Sequence, residues 1–165
     1  MKAKAAVTIA LLLFCITPFV RNAYADSGTI RLEARCFLEV KHSHVFGDQT
    51  IKYYEQLCAI TNTAGSGFMD KVSMFGPVWS EASKSSTRLI GHNVIVDADN
   101  DQLYLSISRE GVPPQVSVGH WTITGGTGKY TGATGSGTYD LTWLPQVVDD
   151  SFLNIAILSG QYRLP

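Results

Sequence analysis

Charged and aromatic side chains at alternating positions of extended segments are the groups in this sequence that could do chemistry. In the run Thr29–Val40, Leu32, Ala34, Cys36, Leu38 and Val40 share one face, while Arg31, Glu33, Arg35, Phe37 and Glu39 share the other. Tyr139, Leu141 and Trp143 oppose Thr138, Asp140 and Thr142 in the same way. A carboxylate held inside an apolar enclosure has a raised pKa and can act as an acid or a base. Glu33 and Asp140 are therefore the candidate catalytic residues, with Arg35 and Glu55 as candidate ligand contacts. The bland reading of the same side chains is a solvated exterior or a face packed on another subunit, because antiparallel sheets usually leave one face wet. Tyr53, Tyr104, Trp121, Tyr139 and Trp143 offer large apolar surface with a polar tip, suited to lining a ligand cavity or to filling a core.

Other constellations carry less. His42-Ser43-His44, with Asp48 following, has the spacing of a metal pair. A third ligand, His92 or His120, would have to come from elsewhere, so the pair reads as rim-loop residues. Asp97, Asp99 and Asp101 match the first spacings of a calcium loop. Gln102 and Ser108 stand where its glycine and closing acid belong, which leaves a solvated hairpin tip. No metal ligand is assigned. Gly128-Lys129 hints at a phosphate loop, but Ile123 replaces its first glycine and Tyr130 its Ser or Thr. No helix follows, so a dinucleotide fingerprint fails too. There is no Gly-x-Ser-x-Gly elbow, and no cofactor is expected.

These residues must be positioned by strands. Helical periodicity is nearly absent after residue 25, and β-branched, alternating runs are separated by Gly, Pro, Asn and Asp. Eight strands are expected, over Thr29–Val40, Thr50–Asn62, Phe68–Trp79, Ser86–Val96, Gln102–Arg109, Gln115–Thr124, Ala133–Leu144 and Ser151–Arg163. Gly47-Asp48, Ala64-Gly65-Ser66-Gly67, the Asp97–Asp101 tip and Gly111-Val112-Pro113-Pro114 punctuate them. Consecutive antiparallel strands with one apolar face can close into a barrel. Eight strands give an interior just wide enough for side chains or one small ligand.

Residues 1–25 read as an export signal. Lys2 and Lys4 precede the apolar run Val7–Val20, and Ala23-Tyr24-Ala25 is a small-x-small cleavage site. Residues 26–165 then form a single domain, secreted or periplasmic after cleavage near Ala25. Removing Lys2, Lys4 and Arg21 leaves ten basic against fourteen acidic residues, a net charge of −4. No basic cluster remains, so nucleic acid is a poor partner, and no later segment is long and apolar enough for a membrane span. Cys36 and Cys58 are an even pair in an exported chain and read as one disulfide.

The run Gly125-Gly126-Thr127-Gly128-Lys129-Tyr130-x-Gly132-Ala133-x-Gly135 resembles the Gly-Gly-Thr-Gly-(Lys/Arg)-(Phe/Tyr)-x-Gly-Ala-x-Gly segment of the allene oxide cyclase and dirigent barrels, including small bacterial exported proteins with that barrel. The alternation from Arg88 to Arg109 and the strand count suit the same family. The likeness is sharp over this segment and architectural elsewhere. It implies an all-β, eight-stranded antiparallel, calycin-like barrel, often trimeric, with an apolar cavity. Its members work without metal or organic cofactor, steering ring closure or coupling of a reactive small molecule. The matching motif is structural and carries no catalytic residue across. The leading functional expectation is a barrel that binds an apolar or aromatic small molecule and, if it is an enzyme, acts as a cofactor-free cyclase or isomerase. The alternative is a filled, non-enzymatic barrel whose exterior or loops bind a protein or a glycan.

Overall fold

Period-two patterning does close this chain on itself. The computed structural model describes residues 26–112, 115–116, 118–146 and 148–165; the export-signal reading of residues 1–25 lies outside them. The strands are β1 (Ser27–Phe46), β2 (Gln49–Asn62), β3 (Val72–Ala82), β4 (Thr87–Val96), β5 (Gln102–Val112), β6 (Gln115–Val116), β7 (Gly119–Gly126), β8 (Thr134–Trp143) and β9 (Ser151–Arg163). Hydrogen-bonded neighbours run β4-β3-β2-β1-β9-β8-β7-β5, and β5 pairs back onto β4. Every pairing is antiparallel, so eight strands form a closed barrel with no free edge. The two-residue β6 only extends the end of β5.

Strand boundaries differ most from the sequence expectation at three places. β1 runs on to Phe46 through a register shift between Val40 and His42. His42 and His44 therefore lie on an exposed hairpin arm instead of a rim loop, with the turn made at Gly47, where φ is +63°. β3 starts at Val72 rather than Phe68, because Met69 and Lys71 adopt positive φ and break the extended chain. The run from Gln115 splits into the short β6 and β7.

The two ends of the barrel are built differently. One is plugged. Phe68 stacks on Tyr162 with ring centroids 4.0 Å apart, and Tyr130 meets Phe68 edge-on at 6.1 Å. Trp121 fills the level above, and its indole occupies the space that a Cβ on Gly137 or Gly160 would need. Its Nε1–H donates to the carbonyls of Thr138 and Ser159, at 3.2 and 3.3 Å. Gly137 of the dense segment and Gly160 of β9 thus make room for a buried tryptophan inside the barrel.

The plugged end is also tied by charge. Asp97 accepts hydrogen bonds from the backbone N–H of Asp99 and of Asp101 and from the Tyr130 hydroxyl. Lys129 reaches back from the glycine segment to Asp97 and Asp99, at 2.6 Å each. The aspartate-rich tip therefore holds a cation of its own, a lysine ammonium. Partial burial works against ionisation of Asp97, yet the bonds from Lys129, Tyr130 and the two amides hold its carboxyl below the ordinary value.

Candidate functional site

The other end, where β1, β5 and β8 finish and β2, β4 and β9 begin, opens into an apolar slot. Ala34, Cys36 and Leu38 of β1 form one wall, and Leu105 and Ile107 of β5 form another. Tyr139, Leu141 and Trp143 of β8 and Asn154, Ala156 and Leu158 of β9 complete it, with Gln56, Met74 and Leu89 from the remaining strands. Room for the centres of water-sized spheres is ≈ 40 Å³, rising to ≈ 460 Å³ of non-atom space once solvent at the mouth is counted. The first figure accommodates only a few waters. The slot is narrow at rest, below the range of ordinary ligand sites. Its rim is aromatic: Phe152 lies edge-on to Tyr54 at 6.0 Å and to Trp143 at 6.1 Å. Trp143 is 49% exposed, while Tyr54 and Phe152 are half-buried.

Two of the polar side chains lining this slot carry an atom without a partner. Tyr139 and Asn154 are each 4% exposed. Among the described residues, the Tyr139 hydroxyl, Asn154 Oδ1 and both side-chain polar atoms of Asn93 are buried without a hydrogen bond. Asn93 lies at the neighbouring level of the wall, opposite Leu105 and against Gly76. The Tyr139 ring lies flat over Gly119, its cross-strand partner, where any Cβ would overlap it. Burial pushes the Tyr139 phenol up to about 12, with Arg109 pulling slightly the other way. At neutral pH it is a hydrogen-bond donor held in place, not a base. Gln56 turns its Nε2–H toward the sulfurs of Cys58 and Cys36, at 2.9 and 3.6 Å. Cys36 and Cys58 are bonded as a disulfide that crosses directly from β1 to β2, Cα atoms 4.1 Å apart, on the inner face.

The sequence candidates divide between the two faces. Trp121, Tyr139 and Trp143 point inward; Trp121 belongs to the plugged end, the other two to the slot. Glu33 and Asp140 stand on the outer face in the same cross-strand row, on either side of Ile157, so neither reaches the slot. The inward placement considered for them is not met, because Leu32, Ala34 and Cys36 take the inner face of β1 and Tyr139 that of β8. Arg35 is also outside and donates from Nε to Glu33 Oε1 at 2.7 Å. Tyr53 and Glu55 are outside together, the phenol donating to Glu55 at 2.6 Å, a bond that raises the Tyr53 pKa. Tyr104 lies outside as well, donating to Gln102 Oε1 at 3.3 Å.

Sequence reasoning missed Gln56, Asn93, Asn154, Tyr54 and Phe152. A signal was available for several of them. Cys36 sits on the apolar face of its strand, so a disulfide must draw Cys58 inward, and with it Gln56 and Tyr54 at the same parity. Asn154 is the polar interruption in the face made by Phe152, Ala156 and Leu158.

No family model matches this sequence, and no curated protein does. Among solved structures the chain is similar to the pterocarpan synthase dirigent protein GePTS1, at 11% identity and a TM-score of 0.51, over 84% of this chain and 93% of that one. It is also similar to a protein of unknown function from the DUF3224 family of Shewanella oneidensis, at 14% identity and a TM-score of 0.48, over 82% of this chain and 96% of that one. The fold is dirigent-like.

Proposed function

We propose that this chain is an exported small-molecule-binding barrel that takes an apolar or aromatic compound into the slot between Tyr139, Asn154 and Trp143. The observation that carries this reading is the set of unpaired polar atoms inside an otherwise apolar lining. A buried hydroxyl or amide without a partner costs roughly 1–3 kcal/mol. A core evolved only for packing would replace these side chains with apolar ones. A ligand carrying one or two polar groups on an apolar frame would satisfy them and convert the cost into orientation. Entry requires the Trp143 and Phe152 side chains to swing from the mouth, since the resting slot is too small for a ligand.

The lining offers donors and acceptors but no carboxylate among the described residues. What it can supply is confinement and orientation, the means by which a guided ring closure or isomerisation would proceed without a cofactor. The likeness to a pterocarpan synthase dirigent protein agrees with such a role. Export is supported by the signal-like residues 1–25 and by the disulfide. The alternative, a barrel acting through its exterior, is favoured by the apolar residues on its outer face. Native mass spectrometry of protein purified from its own host, followed by thermal-shift screening of apolar phenols and terpenoid-like compounds, separates the two. A ligand at a hundred times its Kd raises stability by about 2.7 kcal/mol. A bare mass and no thermal shift across the panel would overturn the proposal.

A further inference from the structure

The outer face of β1 reads, in order, Glu33, Arg35, Phe37 and Glu39, followed by Lys41 at the register shift, where its ammonium is ion-paired to Glu39. The charges are antisymmetric about Phe37: minus, plus, apolar, minus, plus. Phe37 also belongs to an apolar row that runs across five strands in register, Leu153–Phe37–Leu57–Phe75–Val94. Three members of that row are large and exposed, Phe37 at 40%, Leu57 at 58% and Phe75 at 47%. Beside it lies an open hollow on the outer surface, ≈ 450 Å³, lined by Arg35, Phe37, Leu57, Leu153 and Ile155 among others.

We propose that this outer face joins two copies of the chain about a two-fold axis passing through Phe37. A two-fold interface must be self-complementary, because each residue meets its mirror position in the partner. Laying β1 antiparallel over the partner's β1 sets Arg35 against the partner's Glu39 and Glu33 against the partner's Lys41. Each opposite-charge match occurs twice, and Phe37 meets the partner's Phe37 over the hollow. A second feature fits the same arrangement. Glu39 and Glu55 stand directly opposite each other on β1 and β2, a like-charge pair offset within the chain by Lys41 on Glu39. The arriving Arg35 adds a second cation beside them. The ion pairs within the chain, Arg35–Glu33 and Lys41–Glu39, join residues two apart and are free to exchange for contacts between copies.

Sedimentation of the mature chain and its variants tests the arrangement. The wild type should sediment as a dimer at micromolar concentration. Arg35→Glu and Glu39→Arg should each weaken self-association roughly tenfold or more, because like charges now face each other. An equimolar mixture of the two should recover the dimer, and so should the double variant Arg35→Glu/Glu39→Arg, since both restore opposite charges at every position. Unchanged circular dichroism of the single variants keeps loss of fold apart from loss of contact. A photo-crosslinking phenylalanine at position 37 should link to the same position of the partner. A monomeric wild type would overturn the proposal. So would an assembly, trimeric or otherwise, in which mixing fails to rescue the single variants.

Discussion

Replacing Tyr139 by Phe removes one oxygen and leaves the ring on its seat over Gly119, which makes the change a clean probe of the slot. The hydroxyl is buried and unpartnered, so its removal returns a desolvation cost of about 1–2 kcal/mol, the lower part of the range for an unsatisfied buried group. For a domain of about 140 residues that corresponds to a rise in Tm of roughly 3–8 °C at neutral pH. The gain should widen in alkali. The phenol titrates near 12 in the folded chain against 10.0 ordinarily, so the folded state holds its proton more tightly than the unfolded one. That stabilisation is complete below pH 10 and is lost as the pH climbs toward 12, by up to about 2–3 kcal/mol. Phenylalanine has nothing to lose in this window, and the difference between variant and wild type grows through it. Calorimetry at pH 7 and at pH 11 measures both effects, and a titration with any ligand identified should show weaker binding to the variant. A fall in Tm at pH 7 would refute the reasoning: the hydroxyl would then be partnered, by an ordered water or by Arg109, and would not be waiting for a ligand.

At the plugged end, Asp97→Ala should cost about 2–4 kcal/mol in urea unfolding, because it strands Tyr130 and two backbone amides at once and leaves Lys129 with Asp99 alone. The Asp97 pKa is lowered in the folded chain, so its contribution is present above about pH 4 and fades as the pH falls; the variant should lose less stability in acid than the wild type does. Reducing the Cys36–Cys58 bond, which closes a separation of 22 residues, should lower stability by about 3 kcal/mol in the chain-entropy model. Alkylation under native conditions without reductant should leave both cysteines unmodified, and labelling of either would contradict the bridge.

Fold class was legible because nearly every strand carries an unbroken two-residue alternation, and because the glycine segment has a specific spacing. Which face of each strand points inward was harder to read. On β1 the outer face carries Phe37 between two charge pairs, and on β2 Tyr53 and Tyr54 are adjacent, so hydrophobicity alone does not assign a side. Burial followed from closure of the barrel, a long-range fact: Glu33 and Asp140 face out because Ala34 and Tyr139 face in. Asn93 gave no signal, since its neighbours at the same parity, Gly91 and Ile95, say little about what an amide between them would meet. Lys129 was legible as a residue of interest but not in its partner, which arrives from a hairpin 30 positions earlier.

The two ends of the barrel divide the physical tasks. At the plugged end, described polar side chains such as Asp97, Lys129 and Tyr130 are paired with one another, and glycine positions are filled by the Trp121 indole. At the open end, space is left beside Tyr139 and Asn154, and the Tyr139 hydroxyl and Asn154 Oδ1 are left unpaired. Local sequence rules explain the first end well and the second badly. That is where function is expected, because a binding site must keep groups that its empty state does not use. The same asymmetry explains why the carboxylates first considered for catalysis proved to be exterior. An ionised carboxylate in the slot would carry a desolvation cost far above that of an amide or a phenol, and this chain furnishes its slot with neutral polar groups instead.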